Sequence, residues 1–83
     1  MSKKIYILGA GLVGSAIAAD LVKNGYDVTT VDSDREALSL LKKRSGVRTI
    51  LADISAVDEL HRIIEEASLV VGAVPGHLGF NML

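Results

Sequence analysis

Four short apolar runs punctuate the chain, at 4–8, 27–31, 47–51 and 69–74, and between them apolar residues recur every three or four positions. Short apolar or β-branched runs predict buried strands, and the three-to-four spacing predicts helices that bury one face. After the first strand, Val13, Ile17 and Leu21 with Ala18 and Val22 form the inner stripe of a helix over 12–24, which Gly25 stops. Alanines at 16, 18 and 19 keep that helix slim enough to lie close to a sheet. Val28-Thr29-Thr30-Val31 makes the second strand, and Asp34 or Ser33 caps a second helix over 35–44. Ala37, Leu38, Leu40 and Leu41 turn that helix to the sheet, Glu36 and Lys42-Lys43-Arg44 suit its dipole, and Gly46 ends it. Past the third strand, Ser55 caps a helix over 56–66 with Val57, Leu60, Ile63 and Ile64 as its buried stripe. Leu69 to Val74 is apolar on both faces, and Pro75-Gly76 breaks it into a loop over 77–83.

The resulting βαβαβαβ order with short connections calls for parallel strands joined by right-handed crossovers. The expected fold class is α/β, a Rossmann-type three-layer arrangement with strand order 3-2-1-4, an incomplete doubly wound fold. Residues 1–83 form one unit, with no internal repeat or linker. Strand four then becomes an edge, and one face of the sheet has a single helix over it, which predicts a homodimer or larger assembly.

Composition narrows the picture. A chain of 83 residues, 49% apolar and 23% charged, reads as one globular domain. A complete doubly wound domain has two βαβαβ halves; this chain holds about one, so a fragment of a longer protein is expected. A net charge of −1 gives no footing for nucleic acid or an anionic membrane. The absence of cysteine excludes disulfides, thiolate metal sites and a cysteine nucleophile, and fits a cytoplasmic setting. Ser2-Lys3-Lys4 and the apolar run to Ala19 have the outline of a secretory leader, but the glycine pattern within them assigns the segment to the fold. No run of about 18 apolar residues predicts a membrane span.

The chemistry starts where the first strand ends. Gly9, Gly11 and Gly14 have the G-x-G-x-x-G spacing of a dinucleotide fingerprint, between a strand and a helix as the motif requires. Gly9 permits the turn, Gly11 lets a pyrophosphate approach the backbone, and Gly14 lets helix and strand pack closely. The free N–H groups of the first helical turn, at Leu12 and Val13, and the positive end of the helix dipole face the phosphates. Asp32 closes strand two, where such sites place a carboxylate on the adenosine ribose; the alternative is a helix-capping aspartate. Asp32 favours NAD over NADP, since a 2′-phosphate ~4–5 Å away would be repelled by a few kcal/mol at an effective dielectric near 20. Ser33 and Arg35 would partly offset that repulsion.

Asp53 and Ile54, after strand three, are placed for the adenine edge and the adenine face; alternatively Asp53 starts a turn and Ile54 joins the core. Ala73, Val74 and Pro75, ending strand four across the crevice from Gly11, suit a nicotinamide ribose lying on the backbone, or form an ordinary strand-to-loop break. His61 falls on the outer face of helix three, and His77 lies in the crevice loop, where it can reach a ligand. No carboxylate pair, Ser-His-Asp order or metal-ligand spacing is present, so hydride chemistry would belong to the cofactor.

Ile7-Leu8-Gly9-Ala10-Gly11 with Asp32, then Ala52-Asp53, then Val70-Val71-Gly72-Ala73-Val74-Pro75-Gly76-His77-Leu78-Gly79 resembles the N-terminal NAD(P)-binding domain of the saccharopine dehydrogenase family, the lysine dehydrogenase-like members above all. The resemblance covers the chain but only the first half of that family's nucleotide domain. It implies an oxidoreductase acting on a C–N bond of an amino acid or its keto-acid adduct, with a C-terminal substrate domain and the catalytic residues beyond position 83. From Lys4 through Asp53 the chain is also similar to the nucleotide-binding regulatory domains of potassium channels and transporters, which are sensors; Pro75 to Phe80 departs from that pattern. A stand-alone nucleotide-binding module is the third alternative.

Overall fold

The computed structural model describes residues 3–72. Strand β1 (Lys4–Leu8) is central because its side chains are apolar on both faces. Ile5 and Ile7 enter one core cluster, while Leu8 enters the other with Tyr6 packed against it. Helix α1 (Leu12–Lys23) follows, and strand β2 (Asp27–Asp32) pairs in parallel with β1, placing Ile7 opposite Thr30 and Leu8 opposite Val31. Helix α2 (Arg35–Ser45) begins at Asp34, whose Oδ1 accepts from the N–H groups of Glu36 (3.1 Å) and Ala37 (3.2 Å). It ends at Gly46 with φ 69°, a left-handed conformation that glycine adopts without Cβ strain. Strand β3 (Arg48–Leu51), helix α3 (Val57–Ile64) and strand β4 (Leu69–Gly72) complete the described chain. The four parallel strands run in the order β3-β2-β1-β4, as the sequence predicts.

Burial divides by sheet face. Ala18 of α1 and Leu38 and Leu41 of α2 share a cluster with Ile5, Ile7 and Val28, whereas Leu60 of α3 and Ile54 close over Leu8 and Val31. Helices α1 and α2 therefore cover one face and α3 the other. Thr30 is fully buried and its hydroxyl has no hydrogen-bond partner among the described residues, a cost of about 1–3 kcal/mol.

Several expected contacts fall elsewhere. Leu40 is 56% exposed; two positions past Leu38 it lies about 200° round the helix, so it cannot share a face with Leu38 and Leu41. Val13 and Val57 sit in the first turns of α1 and α3 and are 64% and 57% exposed, ahead of the turns that meet the sheet. Ser55 does not cap α3. That helix starts at Ala56 without a side-chain cap, and the Ser55 hydroxyl donates to Asp53 Oδ1 instead (2.6 Å). The helix also runs shorter than 56–66. Strand four is described only to Gly72, so its expected extension to Val74 lies outside the described residues.

Candidate functional site

The glycine turn leaves β1 at Gly9, whose φ of 115° only glycine adopts readily. The Gly9 N–H donates to the Val31 carbonyl (2.8 Å), tying the turn to the end of β2. The next N–H, of Ala10, donates to Asp32 Oδ2 (2.6 Å), and Asp34 N–H donates to Asp32 Oδ1 (2.9 Å). Asp32 thus closes β2, as the sequence predicts, and stands half-buried with its carboxylate bonded to the turn. The cap of α2 is Asp34, so the alternative reading of Asp32 as a capping residue does not hold.

Gly11 is the N-cap of α1, and a Cβ built on it would meet nothing within 4 Å. The first helical hydrogen bond runs from Ser15 N–H to the Gly11 carbonyl (2.8 Å), so the N–H groups of Leu12, Val13 and Gly14 precede the helical ladder. Leu12 is 91% exposed and Gly14 is buried, the placements expected of a mouth residue and of a close-packing glycine.

The helix N-termini differ in charge. The start of α2 carries the Asp34 cap and Glu36, and the first turn of α3 carries Asp58 and Glu59. Helix α1 has no side-chain cap and no acidic residue in its first turn. Its positive end is therefore left for an external anion, with open space in front of Gly11.

The other expected residues divide. Ser33 and Arg35 lie exposed just past Asp32, at the start of α2. Asp53 is exposed and folds into a turn, its Oδ1 accepting both the N–H (2.9 Å) and the hydroxyl of Ser55. Those bonds, the hydroxyl's first, hold its carboxyl below the usual aspartate range against a small opposing effect of desolvation. Ile54 is buried in the core cluster of α3, which is the structural alternative for that residue. Ala73, Val74, Pro75 and His77 lie outside the described residues; Gly72, just before them, is opposite Leu8. His61 is exposed on α3. Sequence reasoning missed Ser15, whose hydroxyl donates to the Ala10 carbonyl (2.9 Å). The available signal was a serine early in the helix, where its side chain competes for backbone partners.

Among the described residues there is no group of three or more His, Asp or Glu that could hold a metal ion. No helix there is long and apolar enough to cross a membrane.

Comparison with known proteins bears on this geometry. The TrkA-N domain family matches residues 5–83. The chain is 36% identical over 69 residues to the Trk system potassium uptake protein TrkA of Vibrio alginolyticus, an overlap of 82% of this chain and 15% of that protein. It is 34% identical over 81 residues to the prephenate dehydrogenase of Lactococcus lactis, covering 98% of this chain and 21% of that one. The chain thus spans about a fifth or less of the length of these relatives. The apo structure of saccharopine dehydrogenase (L-Glu forming) from Saccharomyces cerevisiae superposes with a TM-score of 0.77 over 94% of this chain and 18% of that chain, at 21% identity. That likeness shows a shared fold, and the expected saccharopine-family resemblance is met at that level only. The chain belongs to the TrkA-N domain family, as a Rossmann-type domain for dinucleotides of the NAD(P) kind.

Proposed function

We propose that this chain is a dinucleotide-sensing regulatory domain of a potassium-transport system, with NAD preferred over NADP. One observation carries the dinucleotide part of the reading: the α1 N-terminus, with no acidic residue in its first turn and open space in front of Gly11, stands beside the Asp32 carboxylate. A pyrophosphate suits the free N–H groups at Gly11, Leu12 and Val13, and the adenosine ribose suits Asp32. In this reading Asp53 serves the adenine and Ser33 with Arg35 the 2′-position, while the nicotinamide-ribose role expected of Ala73, Val74 and Pro75 falls on residues outside the described ones. A negative charge at Asp32 disfavours a 2′-phosphate. Binding alone is the output of such a domain. A cytoplasmic location and a two-fold assembly go with this reading. The family match and the identity to a potassium uptake protein support it.

A second reading is the dinucleotide-binding domain of a dehydrogenase, which the 34% identity to a prephenate dehydrogenase across nearly the whole chain supports. In it the domain holds NAD for an amino-acid oxidoreductase acting on C–N bonds, of the saccharopine or lysine dehydrogenase kind, and a C-terminal domain supplies the substrate and catalytic groups. NAD-dependent oxidation of an amino acid by the full-length protein would decide for it.

Calorimetric titration of NAD and NADP into the chain and into Asp32→Ser tests the shared core of both readings. NAD is expected to bind about tenfold or more tightly than NADP, and Asp32→Ser to narrow the gap, in line with the repulsion of a few kcal/mol at this spacing. Equal or tighter NADP binding by the unaltered chain would remove Asp32 from the ribose.

A further inference from the structure

We propose that Asp32 and Ser15 are positioning residues that clamp the Ala10 peptide groups and so aim the Gly11 N–H at the bound phosphate. The proposal rests on the dinucleotide reading above and adds to Asp32 a role apart from the ribose. Ala10 sits between two glycines, where the backbone is least restrained and ordering it costs the most entropy. Its N–H is held by Asp32 Oδ2 at 2.6 Å and its carbonyl by the Ser15 hydroxyl at 2.9 Å. The Ala10 carbonyl and the Gly11 N–H belong to one planar trans peptide and point in opposite directions. Fixing the carbonyl toward Ser15 therefore turns the Gly11 N–H to the other side of that peptide. Gly9 N–H on Val31 and Asp34 N–H on Asp32 Oδ1 anchor the two ends of the clamp to β2 and to the start of α2. Each carboxylate oxygen accepts one bond from the main chain and keeps capacity for another, so the clamp and a ribose contact are compatible.

The two roles of Asp32 predict opposite signs with a phosphate ligand that has no ribose. If Asp32 serves only the ribose, removing its negative charge leaves inorganic pyrophosphate binding unchanged or tightens it. If it clamps the turn, Asp32→Asn weakens that binding, because the amide sets an N–H against one of the two main-chain donors. The experiment is a titration of the chain with inorganic pyrophosphate, read at the Gly11 amide by NMR, together with hydrogen exchange at Ala10 in the ligand-free protein. Expected are a loss of about tenfold in Asp32→Asn and about fivefold in Ser15→Ala, the scale of one charge-assisted and one neutral hydrogen bond. Ser15→Thr, which keeps the hydroxyl, should restore binding, and Ala10 exchange should speed up in Asp32→Ala, which removes both acceptor oxygens. Pyrophosphate binding unchanged or tighter in both Asp32→Asn and Ser15→Ala would overturn the clamp. Unchanged Ala10 exchange in Asp32→Ala, which leaves no acceptor for either main-chain donor, would overturn it whatever the ligand does. A lack of any response at Gly11 in the unaltered chain would instead overturn the dinucleotide reading.

Discussion

At the scale of single residues, Gly9 and Gly11 are glycines for different reasons. Gly9 has a positive φ, so the backbone itself requires it. Gly11 has φ −71° and ψ −168°, an extended conformation open to any residue, and a Cβ there meets nothing. What a side chain at 11 would displace is whatever occupies the open space. Gly11→Val should therefore fold, at a cost of no more than about 1 kcal/mol for a poorer N-cap, and lose dinucleotide binding. Circular dichroism melting and an NAD titration check both halves; full binding in the folded variant would put the ligand elsewhere. Gly9, Gly11, Gly14 and Asp32 were legible in the sequence because spacing and strand register both point to them. Ser15 was not, since its partner is a main-chain carbonyl and main-chain partners leave no pattern in side-chain identity.

At the scale of elements, α2 and α3 start with the same residue types and use them differently. Asp34 satisfies two N–H groups of α2, whereas Asp53 and Ser55 spend their side chains on each other ahead of α3. Asp34→Ala should cost about 1 kcal/mol, within the usual range for losing such a cap, as a lower urea midpoint with unchanged slope. A stability equal to the unaltered chain would mean that water replaces the cap without loss. The strands and helices themselves were legible because short apolar or β-branched runs alternate with stretches of three-to-four spacing in this chain. Errors fell where an apolar residue lies off the buried stripe: Leu40 by its angle round α2, Val57 by its place in a first turn.

At the scale of the whole molecule, the sheet has unlike edges and unlike faces. Strand β4 pairs with β1 alone among the described residues, Leu69 is 53% exposed, and Leu69-Val70-Val71-Gly72 offers no charge to deter a second strand. Tyr6, Ile50 and Val70 are only partly buried on the face where α3 is the one described helix. The 83-residue chain is expected to self-associate, most simply as a two-fold dimer across β4 or across that face. Light scattering after size exclusion over a concentration series reads it directly. A monomer at every concentration would mean that other residues cover β4.

The parallel order also sets a sequence of events in time. Pairing β1 with β2 joins Lys4 to Asp27, and pairing β2 with β3 joins Thr30 to Thr49, whereas pairing β1 with β4 joins Ile5 to Leu69. Closing that longest loop costs about 1 kcal/mol more chain entropy than closing the first. The first three strands and two helices thus make the natural folding nucleus, and β4 docks after the barrier. Stopped-flow kinetics should find that Val71→Ala accelerates unfolding and leaves the folding rate nearly unchanged. A slowed folding rate would instead put β4 in the nucleus. A strand that docks late, and that pairs on one side only among the described residues, is also the last to be protected while the chain is made, so the interval before β4 docks is when it is most exposed to pairing with the wrong strand.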